Sequence, residues 1–305
     1  MQEATLLCKV EQTKLENRIR IAILIAIVLG TLIIDWSELV TTFARAIIDP
    51  QYTHILLVLP GFGLMIGMQW AQLKSAFSYS MAQGIPIIAA AAVLGILAAD
   101  APFSIAPEYR HVVGMFALVL SWLGATALCL GVRTVRRCIF PLLFLFILVP
   151  MPEKIMNVLV ISLQVGSAFA ANIMFSASGV PVVRDGALLV IPGLTINVAP
   201  ECSSIRSSLI LIVTTAIIAQ ILLCTLWKKI LLICISVPIS IAKNGLRIYT
   251  ISMLGTKIDP GYLNGILHHK GGPVFLAIAL LVMAVILWTI TKGEYLIMQI
   301  RKKQQ

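Results

Sequence analysis

The sequence predicts an all-α polytopic membrane protein of about eight transmembrane helices with a small extracytoplasmic β-hairpin-like loop. Three observations predict it. The 305 residues are 59% hydrophobic and only 12% charged, with a mean hydropathy of +0.99. Soluble domains carry about 25% charged residues. The apolar residues fall in runs close to the ~20 needed to cross a bilayer, and the charges gather between the runs. The net charge of +10 comes with no basic stripe and no aromatic platform, so nucleic-acid binding is set aside. Topology explains it better, because Lys and Arg retained on the cytoplasmic side orient a multi-span chain.

The first run starts near Ile19, behind Lys9, Lys14 and Arg18, and no small-residue cleavage site follows. It reads as an uncleaved helix. Cys8 has no hydrophobic signal region before it, which argues against a lipoprotein anchor. Spans are expected at residues 19–35, 54–70, 81–99, 111–130, 138–149, 205–226, 230–254 and 273–291. The fifth is short and ends at Pro150-Met151-Pro152, so it reads as tilted or broken. A further apolar stretch, 155–176, has no charge but places Asn157, Ser162, Gln164, Ser167 and Asn172 along its length. Charge makes this stretch lie in the outer interface or re-enter. Lys74, Arg133, Arg136, Arg137, Lys228, Lys229 and the terminal Arg301-Lys302-Lys303 then share the cytoplasmic face, while the outside balances acids against bases. A crossing there would move Lys228, Lys229 and the tail outside. The organisation expected is a cytoplasmic segment at 1–18, one integral-membrane domain at 19–292 and a basic cytoplasmic tail at 293–305. All four histidines (His54, His111, His268, His269) then fall near the outer face, but Cys202 is the one cysteine there. Cys202 has no disulfide partner within reach.

The outer loop from Gly179 to Glu201 opens with an extended Pro181-Val182-Val183, Pro181 taking the first position of a strand. An Arg184-Asp185-Gly186 turn follows, then strands at 187–191 and 194–198 around a Pro192-Gly193 turn. Turn dipeptides between β-branched runs read as a small hairpin. It stands outside the bilayer, where open strand edges are tolerated.

Three segments carry candidate chemistry. In Ala199-Pro200-Glu201-Cys202-Ser203-Ser204-Ile205-Arg206 the loop enters a helix, with Ser203 or Ser204 placed to cap it. A thiol near a helix N-terminus gains thiolate character, and Arg206 one turn on pushes the same way. The plainer alternative is an inert buried cysteine. Lys243-Asn244-Gly245-Leu246-Arg247-Ile248 puts charge inside a span, which is costly and by default functional or paired. Asn244 and Arg247 share a helix face, and the forked guanidinium suits an oxyanion or a carboxylate. A structural ion pair with Glu201, or snorkelling to the interface, is the alternative. Leu267-His268-His269-Lys270-Gly271-Gly272-Pro273 precedes the last helix. Histidine is the usual acid–base partner of a nucleophilic thiol, though adjacent histidines also occur as ordinary loop residues. No metal site is expected. There is no Cys-x-x-Cys or His-Glu-x-x-His spacing, and His268 and His269 adjoin too closely to chelate easily. No cofactor is expected either.

Cys202-Ser203-Ser204-Ile205-Arg206, Asn244-x-x-Arg247-Ile248 and His268-x-x-Gly271-Gly272-x-x-Phe275 resemble, in order, the three signature regions of the exosortase/archaeosortase family. Asp49-Pro50-x-Tyr52-Thr53-His54 is similar to its segment before the second helix. Phe140-Pro141-Leu142-Leu143-Phe144-Leu145-Phe146 with Pro150-Met151-Pro152 is similar to its Pro-rich fifth segment. The resemblance runs from about residue 19 to 292. It implies a cysteine transpeptidase of the bacterial inner membrane with its site on the extracytoplasmic face. Such an enzyme removes a C-terminal sorting signal from secreted proteins and passes the new C-terminus to an acceptor, a lipid or a polysaccharide. The signal is a Pro-Glu-Pro-type motif, a hydrophobic helix and a basic tail. By this resemblance Cys202 is the nucleophile, Arg247 the transition-state or substrate-positioning arginine and His268 the general acid/base. Asn244, Ser203, Arg206 and His269 are supporting candidates. His268 is preferred to His269 for its spacing to Gly271-Gly272. Ser204 stands where the family usually has Gly, and Thr53-His54-Ile55 stands where it has Ser-His-Gly.

The rival reading is a non-catalytic membrane subunit or a transporter for surface polysaccharide assembly. A transporter would show broken helices around a midplane site and inverted repeats. Here the polar residues gather at one face, and no repeat relates the halves. A peptidase that only hydrolyses would use the same Cys and His, and differs in the acceptor alone.

Overall fold

The computed structural model describes residues 2–74, 77–99, 107–198, 205–263, 265 and 271–304, with side chains between 11 and 293. The chain gathers into two units, residues 1–152 and 153–305. Eight helices are long and apolar enough to cross a membrane.

In the N-terminal unit, α1 (Gln2–Ile34) leads into α2 (Trp36–Ile48). Leu39, Thr42 and Ala46 on α2 are buried at helical spacing, the mark of an amphipathic helix with one inward face. A 3-10 turn (Pro50–Leu57), α3 (Val58–Lys74), α4 (Met81–Ala99) and α5 (Pro107–Leu130) follow. α5 is the axis of this unit, with α4 and α1 packed against it. Small residues set the α4–α5 distance: a Cβ added at Gly84 would lie 2.5 Å from the Leu128 Cα. Such close approach is how helices pack when lipid offers no hydrophobic drive. Trp122 of α5 donates its indole N–H to the Thr31 hydroxyl of α1 at 2.9 Å.

The segment expected to cross at 138–149 is broken. After α6 (Val132–Arg137) it consists of α7 (Ile139–Phe144) and a 3-10 turn (Leu145–Leu148) ahead of Pro150. It runs beside α3. Arg137 donates to the Gln72 carbonyl at one end, 3.0 Å, and the Tyr52 hydroxyl donates to the Met151 carbonyl at the other, 3.1 Å.

The C-terminal unit corrects the reading of 155–176. The stretch belongs to a continuous 25-residue helix, α8 (Glu153–Ala177), one of the eight of spanning length. At 1.5 Å per residue it is about 37 Å long. Met156, Val160, Ser167, Ala168, Ala171 and Phe175 form its buried stripe. The outward face carries Ile155, Val158, Ile161, Val165, Phe169 and Ile173, with Asn157 and Ser162 exposed among them. An interfacial helix would turn charge outward there, whereas a helix apolar on both faces belongs among lipid tails. The polar residues that suggested an interface include Ser167 and Gln164, both of which bond inside the protein. The eight long helices are therefore a different eight from those expected, with α8 in place of 138–149.

After α8 come three short strands, β1 (Val183–Asp185), β2 (Leu188–Ile191) and β3 (Leu194–Asn197), in an antiparallel sheet of order β1-β2-β3. The hairpin of β2 and β3 is as expected, but Arg184 and Asp185, expected in a turn, pair with β2 as part of β1, which starts two residues beyond Pro181. The turn between β2 and β3 is Pro192-Gly193, with Gly193 at φ 81, the pattern of a turn needing Pro and then a left-handed residue. Leu189 and Ile191, alternate residues of β2, pack with Val198 into a cluster around Phe175 of α8 and Ile248, as a period-two strand over a core should.

The chain closes with α9 (Ile205–Leu222), α10 (Leu226–Lys257), a 3-10 turn (Pro260–Leu263) and α11 (Gly272–Gln304). α10 packs on α8, α9 and α11. Beside α8, Gly245 is the tight point: a Cβ there would meet the Ala170 Cβ at 2.6 Å.

Candidate active site

Of the residues singled out from the sequence, Arg247, Asn244 and Arg206 lie among the described residues. Cys202, Ser203, His268 and His269 lie outside them. What the structure supplies is the frame around the missing segments.

The loop holding Cys202 is pinned on both sides. Before it, Val198 is fully buried, and its carbonyl accepts from the Gln164 amide of α8 at 2.8 Å. After it, Ser207 in the first turn of α9 accepts from the Lys243 ammonium of α10. α9 and α10 are joined by a three-residue connection, 223–225, so they run antiparallel. The contact of Lys243 with Ser207 therefore carries Arg247, one turn further along α10, to the level at which α9 begins.

Arg247 lines a cavity of about 210 Å³ together with β3, Val198 just past it, and Ile248, Ile251, Ser252 and Leu263. Leu263 is the last residue of the turn that leads toward the His268 segment. It can lie against α10 because position 255 is glycine: a Cβ there would sit 2.4 Å from Leu263 Cδ2. On the far side of that segment, the Gly271 carbonyl accepts from the amides of Val274 and Phe275 in the first turn of α11. The described flanks of the Cys202 segment and the near flank of the His268 segment thus reach one corner of the unit, and Arg247 is in it.

The supporting candidates part company. Asn244 is fully buried and turns toward α8, donating to the Ser167 hydroxyl at 3.0 Å. It braces α10 against α8 and does not line the Arg247 cavity. Its Oδ1 has no hydrogen-bond partner among the described residues. Arg206 is exposed and also stays out of the cavity lining. Lys243 ties α10 to α9. His54 is buried in the 3-10 turn ahead of α3, its Nδ1 3.1 Å from the Gln51 carbonyl of the same turn. His111 sits against Glu38 and Thr42 of α2. Both belong to the N-terminal unit.

The sequence reading missed Ser167, Gln164 and Ser207 as braces. A signal existed for the first two: they are three apart, on one face of an otherwise apolar helix. Nothing in the sequence marked Ser207, nor the wall that β3 lends to the Arg247 cavity.

A sequence model described as transmembrane exosortase (Exosortase_EpsH) matches residues 36–285. No curated protein and no solved structure matches the chain. The matched span reaches into both units and takes in the hairpin and all three motif segments, and on that match the chain belongs to the transmembrane exosortase family.

Proposed function

We propose that the protein is a membrane-embedded cysteine transpeptidase of the bacterial inner membrane. It cleaves a C-terminal sorting signal (a Pro-Glu-Pro-type motif, a hydrophobic helix and a basic tail) from secreted proteins. It then transfers the new C-terminus to a membrane or surface acceptor, a lipid or a polysaccharide. Membership in the exosortase family supports a transpeptidase-type role in general. The observation that carries the finer reading is the placement of Arg247, whose cavity is bounded by the strand leading into the Cys202 segment and by the turn leading into the His268 segment.

In this reading the Cys202 thiolate adds to the scissile carbonyl. Arg247 holds the oxyanion or an adjacent substrate carboxylate with its planar fork. The C–N bond breaks as His268 gives its proton to the leaving amine, and a thioester remains. The acceptor's amine or hydroxyl then loses a proton to His268 and attacks the thioester, the C–S bond breaks, and the thiolate returns. Two moderate steps replace one difficult exchange. Anchoring the substrate's own helix in the same bilayer raises its local concentration and orients the bond. The site faces the extracytoplasmic side. Between Arg137 and Lys228, both basic and both assigned inside, an even number of crossings is required.

The test is processing of a co-expressed secreted protein bearing a Pro-Glu-Pro-type tail. Cys202→Ala and Cys202→Ser are expected to abolish the size shift at unchanged membrane levels. Mass analysis of the product's C-terminus separates transfer from hydrolysis. Full processing by Cys202→Ala would remove the thiol from the mechanism.

A further inference from the structure

Strand β3 is an edge of its sheet. The strand order is β1-β2-β3, so among the described residues β3 is paired on one side. Leu189 pairs with Ile196 and Ile191 with Leu194, and the Val198 amide donates to the Ala187 carbonyl at 3.1 Å. In an antiparallel ladder, successive residues turn their backbone groups to opposite sides. Positions 194, 196 and 198 face β2. Thr195 and Asn197 therefore offer N–H and C=O to the open side.

The Arg247 cavity lies on that open side. A pocket over one face of a strand meets alternate residues, because side chains alternate. This one is lined by residues 194–198 without a gap, which places it along the edge. Its other wall is α10 and the following turn, with Ile248, Ile251 and Leu263 apolar and Arg247 charged.

We propose that this edge is the docking site for the substrate's recognition segment, which adds to the sheet as a fourth strand opposite Thr195 and Asn197. The proposal rests on the transpeptidase reading above and names how that site takes its peptide. Strand addition supplies affinity through main-chain bonds and specificity through pockets for alternate side chains. The two open residues are about 6.8 Å apart along the strand, the spacing of alternate residues in an extended peptide and not of a helix. A Pro-Glu-Pro segment fits in one register only. The two prolines point their N–H-less nitrogens away from the edge, where proline is tolerated. The glutamate between them turns its backbone N–H and C=O to β3, and its carboxylate is the charge that Arg247 complements. An extended peptide held there lies beside β3, whose last residue, Asn197, stands five residues before Cys202 in the sequence.

The experiment places a photo-crosslinking residue at Thr195 in the Cys202→Ala protein, co-expressed with the secreted substrate bearing the Pro-Glu-Pro-type tail. Val183 on β1, the opposite edge and 70% exposed, is the control position. The expected result is a substrate crosslink from 195 at least tenfold stronger than from 183. In the protein with Cys202 intact, Thr195→Pro deletes an amide that the ladder does not use. It should keep normal membrane levels and raise the substrate level needed for half-maximal processing about tenfold, the scale of one lost hydrogen bond. Equal crosslinking from 183 and 195, no crosslink from 195, or wild-type processing by Thr195→Pro would each overturn the docking site. Because crosslinking is read without the thiol, its failure is separate from failure of the nucleophile assignment, which shows as processing by Cys202→Ala.

Discussion

The two units lodge several of their buried polar groups in different ways. In the N-terminal unit, Thr42, Ser121 and Thr134 are buried and each hydroxyl donates to a carbonyl three or four residues back along the chain, Thr42 also meeting His111 Nε2 of α5 at 3.0 Å. In the C-terminal unit Asn244, Lys229 and Lys243 reach between helices, while Ser236 bonds within α10. Asn244 of α10 bonds Ser167 of α8, Lys229 of α10 donates to Gln220 of α9 at 2.6 Å, and Lys243 of α10 donates to Ser207 of α9. Ser208, Ser240 and the Asn244 Oδ1 are buried there with no partner among the described residues. A hydroxyl bonded within its own helix costs little and fixes nothing beyond that helix. A bond between helices fixes their register, and groups left short of partners are costly enough to call for a use. The bonds between helices in the second unit fix the register of α10, the helix that carries Arg247.

The largest effect expected from this contrast is at Arg247. Arg247→Lys keeps the charge and loses the planar fork, so processing should fall about a hundredfold or more, the scale of one lost oxyanion donor. Membrane levels should not change. Time courses of substrate conversion check it, and a lysine variant as fast as wild type would take Arg247 out of the chemistry.

The contrast sharpens at Asn244 and Ser121. Asn244→Ala removes a bond between helices and strands the Ser167 hydroxyl, for a loss of about 1–2 kcal/mol, near the upper end of measured membrane hydrogen bonds. Processing should fall as well, because Arg247 stands one turn further on α10. Ser121→Ala removes a bond within α5 and should leave both stability and processing as they are. Thermal melts of the two purified variants decide it. Equal losses would mean that the units do not differ in this way.

Much of this was legible in the sequence. Long apolar runs gave seven of the eight spanning helices, because twenty apolar residues have few other soluble fates. The three strands were announced by Pro181, Asp185-Gly186 and Pro192-Gly193. The motifs singled out Arg247 and Asn244, but only packing separates their surroundings: the first lines a cavity, and the second turns to α8. The reading of 155–176 as interfacial or re-entrant rested on charge, and the structure makes the stretch part of one continuous helix of spanning length. Ser167 and Gln164 are polar in order to meet Asn244 and the Val198 carbonyl, and no linear pattern shows which partner a side chain will find. Topology follows from the same point. Reporter fusions after Arg137 and after Trp227 should read inside, and one after Gly179 outside. A Gly179 fusion reading inside would place the candidate site on the wrong face, and one after Pro152 tells whether the broken segment beside α3 crosses as well.

The smallest effect tests whether the N-terminal unit is as well satisfied at its rim as in its helices. Asp35 stands between α1 and α2 at the N-cap of α2, with no side-chain capping bond. It lines a cavity of about 520 Å³ with Glu38 and Arg110. Partial burial, and then the nearby Glu38 carboxylate, push its pKa above the ordinary carboxylate value. A carboxyl whose pKa rises on folding holds its proton more tightly in the native state, so its contribution to stability is full at low pH and is lost as pH rises through the folded value. At neutral pH the ionised Asp35 therefore works against the fold. Asp35→Asn should raise the melting temperature by a degree or two near pH 7.5, within the small range of a half-exposed site, and should make no difference near pH 3.5. A stabilisation equal at both pH values would trace the gain to packing instead of charge. A loss at pH 7.5 would show the carboxylate to be engaged in the cavity it lines, with the first unit then carrying a charged function of its own.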